Sequence, residues 1–133
     1  MDTDNIIENN PQKEVACAFH ALCPTRQILN RIADKWTVLV VILLESDMKR
    51  FSQLRREIEG ISQKMLTQTL RGLERGGLLT RKVHATVPPK VEYALTPLGH
   101  TLKDMLYAIK TWSEANIEEV LTAQKSYDLL NTK

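Results

Sequence analysis

Apolar positions recur at helical spacing along most of the chain and at strand spacing in one short stretch. Residues 1–14 carry no such period, and a mobile N-terminal tail is expected there. Val15 to Leu22 is an apolar stretch long enough for one or two helical turns, closed by Cys23-Pro24. Thr25 then offers a cap for a helix whose Ile28, Leu29 and Ile32 share one face. Asp34-Lys35 precedes an apolar helix from Trp36 to Glu45, and "DMKR" (47–50) reads as a turn. Ser52 is the expected N-cap of a third helix, which carries Leu54, Arg55 and Ile58 and stops at Gly60.

The next helix has two sharply different sides. Ser62 caps it, Gly76-Gly77 ends it, and at 100° per residue Leu66, Leu70 and Leu73 fall within about 60° of one another. Lys64, Gln68, Arg71 and Arg75 fall on the opposite side, with Gln63 and Thr67 at its edge. Such a helix docks through its leucines and offers long donor-rich side chains to a partner, although a plain solvated face has the same pattern. "LLTRKV" and "VEYALT" then have strand composition, joined by "HATVPPK" (84–90), a hairpin loop stiffened by Pro88-Pro89. Val91, Tyr93 and Leu95 alternate with Glu92 and Ala94. Two helices and a protruding hairpin describe a winged helix-turn-helix, with Arg81, Lys82, His84 and Lys90 on or beside the wing.

Thr96-Pro97 starts a last helix, expected over 97–120. Leu98, Leu102, Met105, Ile109 and Trp112 repeat at spacings of four and three, a heptad-like seam. A small three-helix core has little room to cover it, so a partner chain is the expected cover. The fold class is therefore mostly α with a small β-hairpin (α+β), a winged helix-turn-helix with terminal dimerisation helices. The domain spans 15–120, and 121–133 is expected to be a C-terminal tail.

Composition changes this picture in one place. The net charge of the 133 residues is only +2. From Lys49 to Lys90, however, ten Lys or Arg face three acids, a net +7, while the remainder holds eight bases and thirteen acids, a net −5. That asymmetry points the middle segment toward a polyanion. No apolar run approaches the ~20 residues of a membrane span. The opening "MDTDNIIENN" lacks the form of a secretory signal, and a cytoplasmic location is expected. No phosphate loop, nucleotide fingerprint or Ser/His/Asp arrangement occurs, so neither an enzyme nor a cofactor is expected.

Taken together, "CPTRQILNRIADKW" (23–36), "RFSQLRREIEGISQKMLTQTLRGLERGGLLTRKV" (50–83) and "VPPKVEYALTPLG" (87–99) resemble the HxlR family of bacterial transcription regulators, relatives of the MarR winged-helix proteins. "ADKW" departs from the family's usual two small residues before Lys-Trp, at a turn away from the DNA-reading elements. The resemblance implies a sequence-specific regulator, a repressor by default, acting as a homodimer on a pseudo-palindromic stretch of double-stranded DNA. Lys64, Gln68 and Arg71 would read bases, with Gln63 and Thr67 beside them, while Ser62, Arg75, Arg81, Lys82, His84 and Lys90 would meet the backbone. The dimer seam would be Leu102, Met105, Ile109 and Trp112. Winged helices also serve as protein-interaction modules, a reading that the +7 segment disfavours.

"CAFHALC" sets Cys17, His20 and Cys23 three residues apart. Three readings stand. The cysteines can be buried core residues with His20 merely satisfied. The family commonly carries an oxidant- or electrophile-reactive cysteine at the place of Cys23, which implies redox sensing, with basic neighbours such as Arg26 favouring the thiolate. A metal-responsive site on Cys17, His20 and Cys23 lacks an evident fourth ligand. Within one continuous helix Cys17 and Cys23 stand about 9 Å apart along the axis, beyond disulfide reach, so a bond between subunits is the expected oxidised form.

Overall fold

A computed structural model describes residues 19–131. The expected tail over 1–14 and most of the 15–22 stretch, Cys17 included, lie outside the described residues. The order of elements is α1 (Pro24–Ile32), α2 (Lys35–Leu44), β1 (Lys49–Arg50), α3 (Phe51–Glu57), α4 (Gln63–Arg75), β2 (Leu79–His84), β3 (Lys90–Leu95) and α5 (Pro97–Asn131). The core is a leucine-rich cluster: Val40, Val41 and Leu44 from α2, Leu54 from α3, Leu66, Leu70 and Leu73 from α4, and Leu106 from α5. Ile58, Ile61, Leu78, Leu79 and Leu95 close it from the turns and strands.

Local chemistry sets the element ends. Pro24 occupies the first turn of α1, where a missing N–H costs nothing, so Cys23 is the N-cap and Thr25 is already inside the helix. Asp34 caps α2 by accepting the Trp36 N–H at 3.2 Å. α3 starts at Phe51, one residue before the expected Ser52 cap, because the Gln53 side chain accepts the Arg50 N–H at 2.9 Å. Ser62 does cap α4, its Oγ accepting the Met65 N–H at 3.0 Å.

The end of α4 is a junction. Gly77 adopts φ +77°, a left-handed conformation that a side chain would strain. It lets the Leu78 N–H reach Leu73 O at 2.9 Å and its own N–H reach Glu74 O at 3.0 Å, closing the helix with a Schellman turn. Thr96 ties the same point to α5: its hydroxyl donates to Gly77 O at 2.6 Å and accepts the Gly99 N–H at 3.0 Å. α4, the base of the β2-β3 hairpin and α5 are thus fixed to one another within a few residues.

The structure departs from the sequence-based picture in four further places. The sheet has three antiparallel strands in the order β1-β3-β2, since Lys49 and Arg50 of the expected turn pair with Tyr93 and Glu92. With neighbours on both sides, β3 is partly buried along its middle instead of alternating cleanly. The apolar face of α1 has no buried residue, and Ile28 and Leu29 stand about half exposed. Finally, α5 runs to Asn131 rather than stopping at Val120, so residues 121–131 continue the helix and are not a separate tail.

Candidate nucleic-acid interface

α4 presents the expected divided surface. Leu66, Leu70 and Leu73 are buried, joined by Thr69, whose burial the leucine pattern did not reveal. Gln63, Lys64, Gln68, Arg71 and Arg75 are exposed, and Thr67 is half-buried at the edge. Gln63, Lys64, Thr67, Gln68 and Arg71 together line one shallow depression of about 470 Å³, so five of the expected contact residues form a continuous surface. Arg75 lies in the last turn of the helix, away from that depression.

The wing divides its bases between two faces. The register pairs Leu79 with Leu95, Arg81 with Tyr93 and Val83 with Val91, and the buried leucines mark this as the inner face. Arg81 therefore stands toward α4, where its Nε lies 3.7 Å from Glu74 Oε1. Lys82 and Lys90 belong to the outer face and are exposed. His84 is not presented in the same way, because its Nε2 lies 2.6 Å from Glu92 Oε1 and both side chains are half-buried. It braces the wing, while Lys82 and Lys90 are the projecting cations.

Several groups escaped the sequence reading. Phe51, Ser52, Arg55 and Arg56 of α3 line a second depression with Gln63, which sets two further arginines beside the start of α4. The signal was there in the charge density of "RFSQLRRE", but only the packing of α3 against the start of α4 aims it. Tyr93 and Glu74 were likewise not singled out. The Tyr93 hydroxyl is pushed above the usual phenol range by burial, an effect offset by Arg81 and Arg71 and reinforced by Glu74.

At the opposite end of the sequence, Cys23 is buried, 4% exposed, and its N–H donates to His20 O at 3.1 Å. It is disulfide-bonded. Cys17, the other cysteine of the sequence, lies outside the described residues. Residues 19–22 form turns that lead into α1. His20 is exposed, and a sulfur held in a disulfide is not a thiolate ligand. Among the described residues no three His, Cys, Asp or Glu side chains converge on a metal position. Nor does any described helix have the length and hydropathy to cross a membrane.

A helix-turn-helix formed by α3 and α4, with a basic β2-β3 wing beside it, defines the class of winged helix-turn-helix transcriptional regulators. Within that class, residues 31–121 match the HxlR-like helix-turn-helix family, and the chain belongs to it. It is 43% identical over 106 residues to the HTH-type transcriptional regulator YtfH of Escherichia coli (strain K12), covering 80% of this chain and 84% of that one. The solved ytfH transcriptional regulator from Salmonella typhimurium superposes with a TM-score of 0.76 at 42% identity, over 80% of this chain and 96% of that one. The redox regulator HypR in its oxidized form matches with a TM-score of 0.66 at 41% identity, over 71% and 97% of the two chains.

Proposed function

We propose that this chain is a sequence-specific DNA-binding repressor, not an enzyme, acting in the cytoplasm as a homodimer on a pseudo-palindromic operator and controlled by oxidation at Cys23. The carrying observation is the outer side of α4, where Gln63, Lys64, Thr67, Gln68 and Arg71 form one accessible surface on a leucine-anchored helix. A helix fits the major groove, where Arg and Lys bond guanine O6 and N7 and Gln bonds adenine. Arg75, Arg81, Lys82 and Lys90 neutralise phosphates around that reading head, the Ser62 hydroxyl donates a hydrogen bond to the DNA backbone, and His84 supports the wing from within.

Dimerisation is supported by the side of α5 that the single chain leaves open. Met105, Ile109 and Trp112 are 48%, 51% and 62% exposed, whereas Leu102 packs on the chain's own core. Exposed side chains of this size at heptad spacing suit a second copy of the same helix. Two copies would set two reading helices about one helical turn of DNA apart.

Redox control is supported by the buried, disulfide-bonded Cys23 at the N-cap of α1 and by the likeness to HypR, whose name records a redox regulator. Binding to duplex DNA from the protein's own upstream region, measured with and without diamide, tests both parts. Tight binding that changes on oxidation is expected. Tight binding indifferent to every thiol reagent would leave the regulator without its switch.

A further inference from the structure

Glu74 is out of place on a surface made to meet an anion. It is the sole carboxylate among the residues of α4, which also carries Lys64, Arg71 and Arg75. Helical geometry sets it on the same flank as Thr67, one turn beyond Arg71 and away from Leu66 and Leu73. There its Oε1 lies 3.7 Å from Arg81 Nε, joining reading helix to wing. Both side chains are nearly half exposed, and pairs of that kind contribute little to stability. What the pair does fix is direction. Tyr93, the cross-strand partner of Arg81, stands within electrostatic reach of Arg81, Glu74 and Arg71, so the four groups share one cleft of about 220 Å³ between α4 and the wing.

We infer that Glu74 is a specificity-determining residue, which acts by holding Arg81 beside the α4 face so that wing and reading helix engage DNA in one fixed relation. The inference rests on the DNA-binding reading given above. A carboxylate this close to the duplex repels phosphate in every complex, specific or not. Only the specific complex gains in return, because an arginine already oriented loses less rotamer freedom on reaching its phosphate. In an off-register complex the same restraint keeps Arg81 from bending toward whichever phosphate is nearest. Glu74 thereby widens the gap between operator and random sequence.

The test begins by selecting a duplex from a randomised pool with the wild-type chain. Wild type, Glu74→Gln, Arg81→Gln and the double variant are then titrated with that duplex and with random duplex over a salt series. Glu74→Gln should lower the ratio of selected to random affinity roughly tenfold, the order of one lost specific contact. Its salt dependence on random duplex should steepen by about one phosphate's worth as Arg81 is released. In the Arg81→Gln background the same substitution should change the ratio by less than about twofold, as coupled neighbours require. A ratio that stays level or rises in Glu74→Gln overturns the inference, as does an equal fall when Arg81 is already gone. A wild-type chain that selects no duplex defeats the DNA-binding reading itself, and the inference with it, so the two failures are told apart.

Discussion

Lys64 and Arg71 extend from the side of α4 opposite Leu66 and Leu73, so truncating them leaves the buried leucine stripe in place. Lys64→Ala and Arg71→Ala should each sharply reduce selective binding, by ~1–3 kcal/mol of discrimination, with an unchanged unfolding transition. Lys82→Ala and Lys90→Ala should instead weaken operator and random duplex alike and reduce the salt slope by about one. Equal loss on both kinds of duplex in all four variants would undo the division of roles. Cys23→Ser should abolish the diamide response, and a variant that responds as wild type does would remove Cys23 as the sensor. The α4 residues were readable from sequence because both faces declare themselves in one helical period. His84 was not, since its partner Glu92 comes within reach only once the β2-β3 register is set.

Two glycines show how element packing sets the sign of one chemical change. A Cβ built on Gly99 would stand 2.0 Å from Leu78 O, a backbone atom held in the hydrogen bond from the Thr96 N–H. Gly99→Ala should therefore destabilise the fold by about 1–3 kcal/mol, the usual cost of forcing extra volume into a packed site. The atoms nearest a Cβ on Gly72 would be those of the Arg31 guanidinium, with Cζ at 2.3 Å, and that flexible end can swing aside. Gly72→Ala in mid-α4 should be neutral or stabilising by up to about 1 kcal/mol through helix propensity. Thermal unfolding of both variants decides the matter, and equal shifts of the same sign would contradict it. At this scale most long elements were legible from their periods within a residue or two at their ends, but the C-terminal end of α5 was not, since the helix continues past Val120 to Asn131. The two-residue β1 was not, because two residues have no period and their pairing to Tyr93 and Glu92 is far off in sequence. The burial of Leu106 was also not read from the sequence, because it lies one position beyond Met105 and outside the heptad-like seam.

The whole molecule leaves apolar surface on α5, at Met105, Ile109 and Trp112, and on α1, at Ile28 and Leu29. Burying side chains of this kind contributes roughly 1.5–3 kcal/mol each, which suits a stable dimer. Ile109→Glu should yield monomers by light scattering that bind the operator weakly, and a wild-type chain that is monomeric at micromolar concentration would refute the dimer. The central claim concerns the outer face of α4, and one titration addresses it most directly. Wild-type chain and Arg71→Ala are each titrated against the selected duplex and random duplex across a salt series. The account predicts that the wild type prefers its selected duplex by orders of magnitude, with affinity for both falling steeply as salt rises. It predicts that Arg71→Ala loses most of the preference and keeps most of the affinity for random duplex. A wild-type chain that binds both duplexes equally, or an Arg71→Ala variant that keeps the full preference, would contradict it.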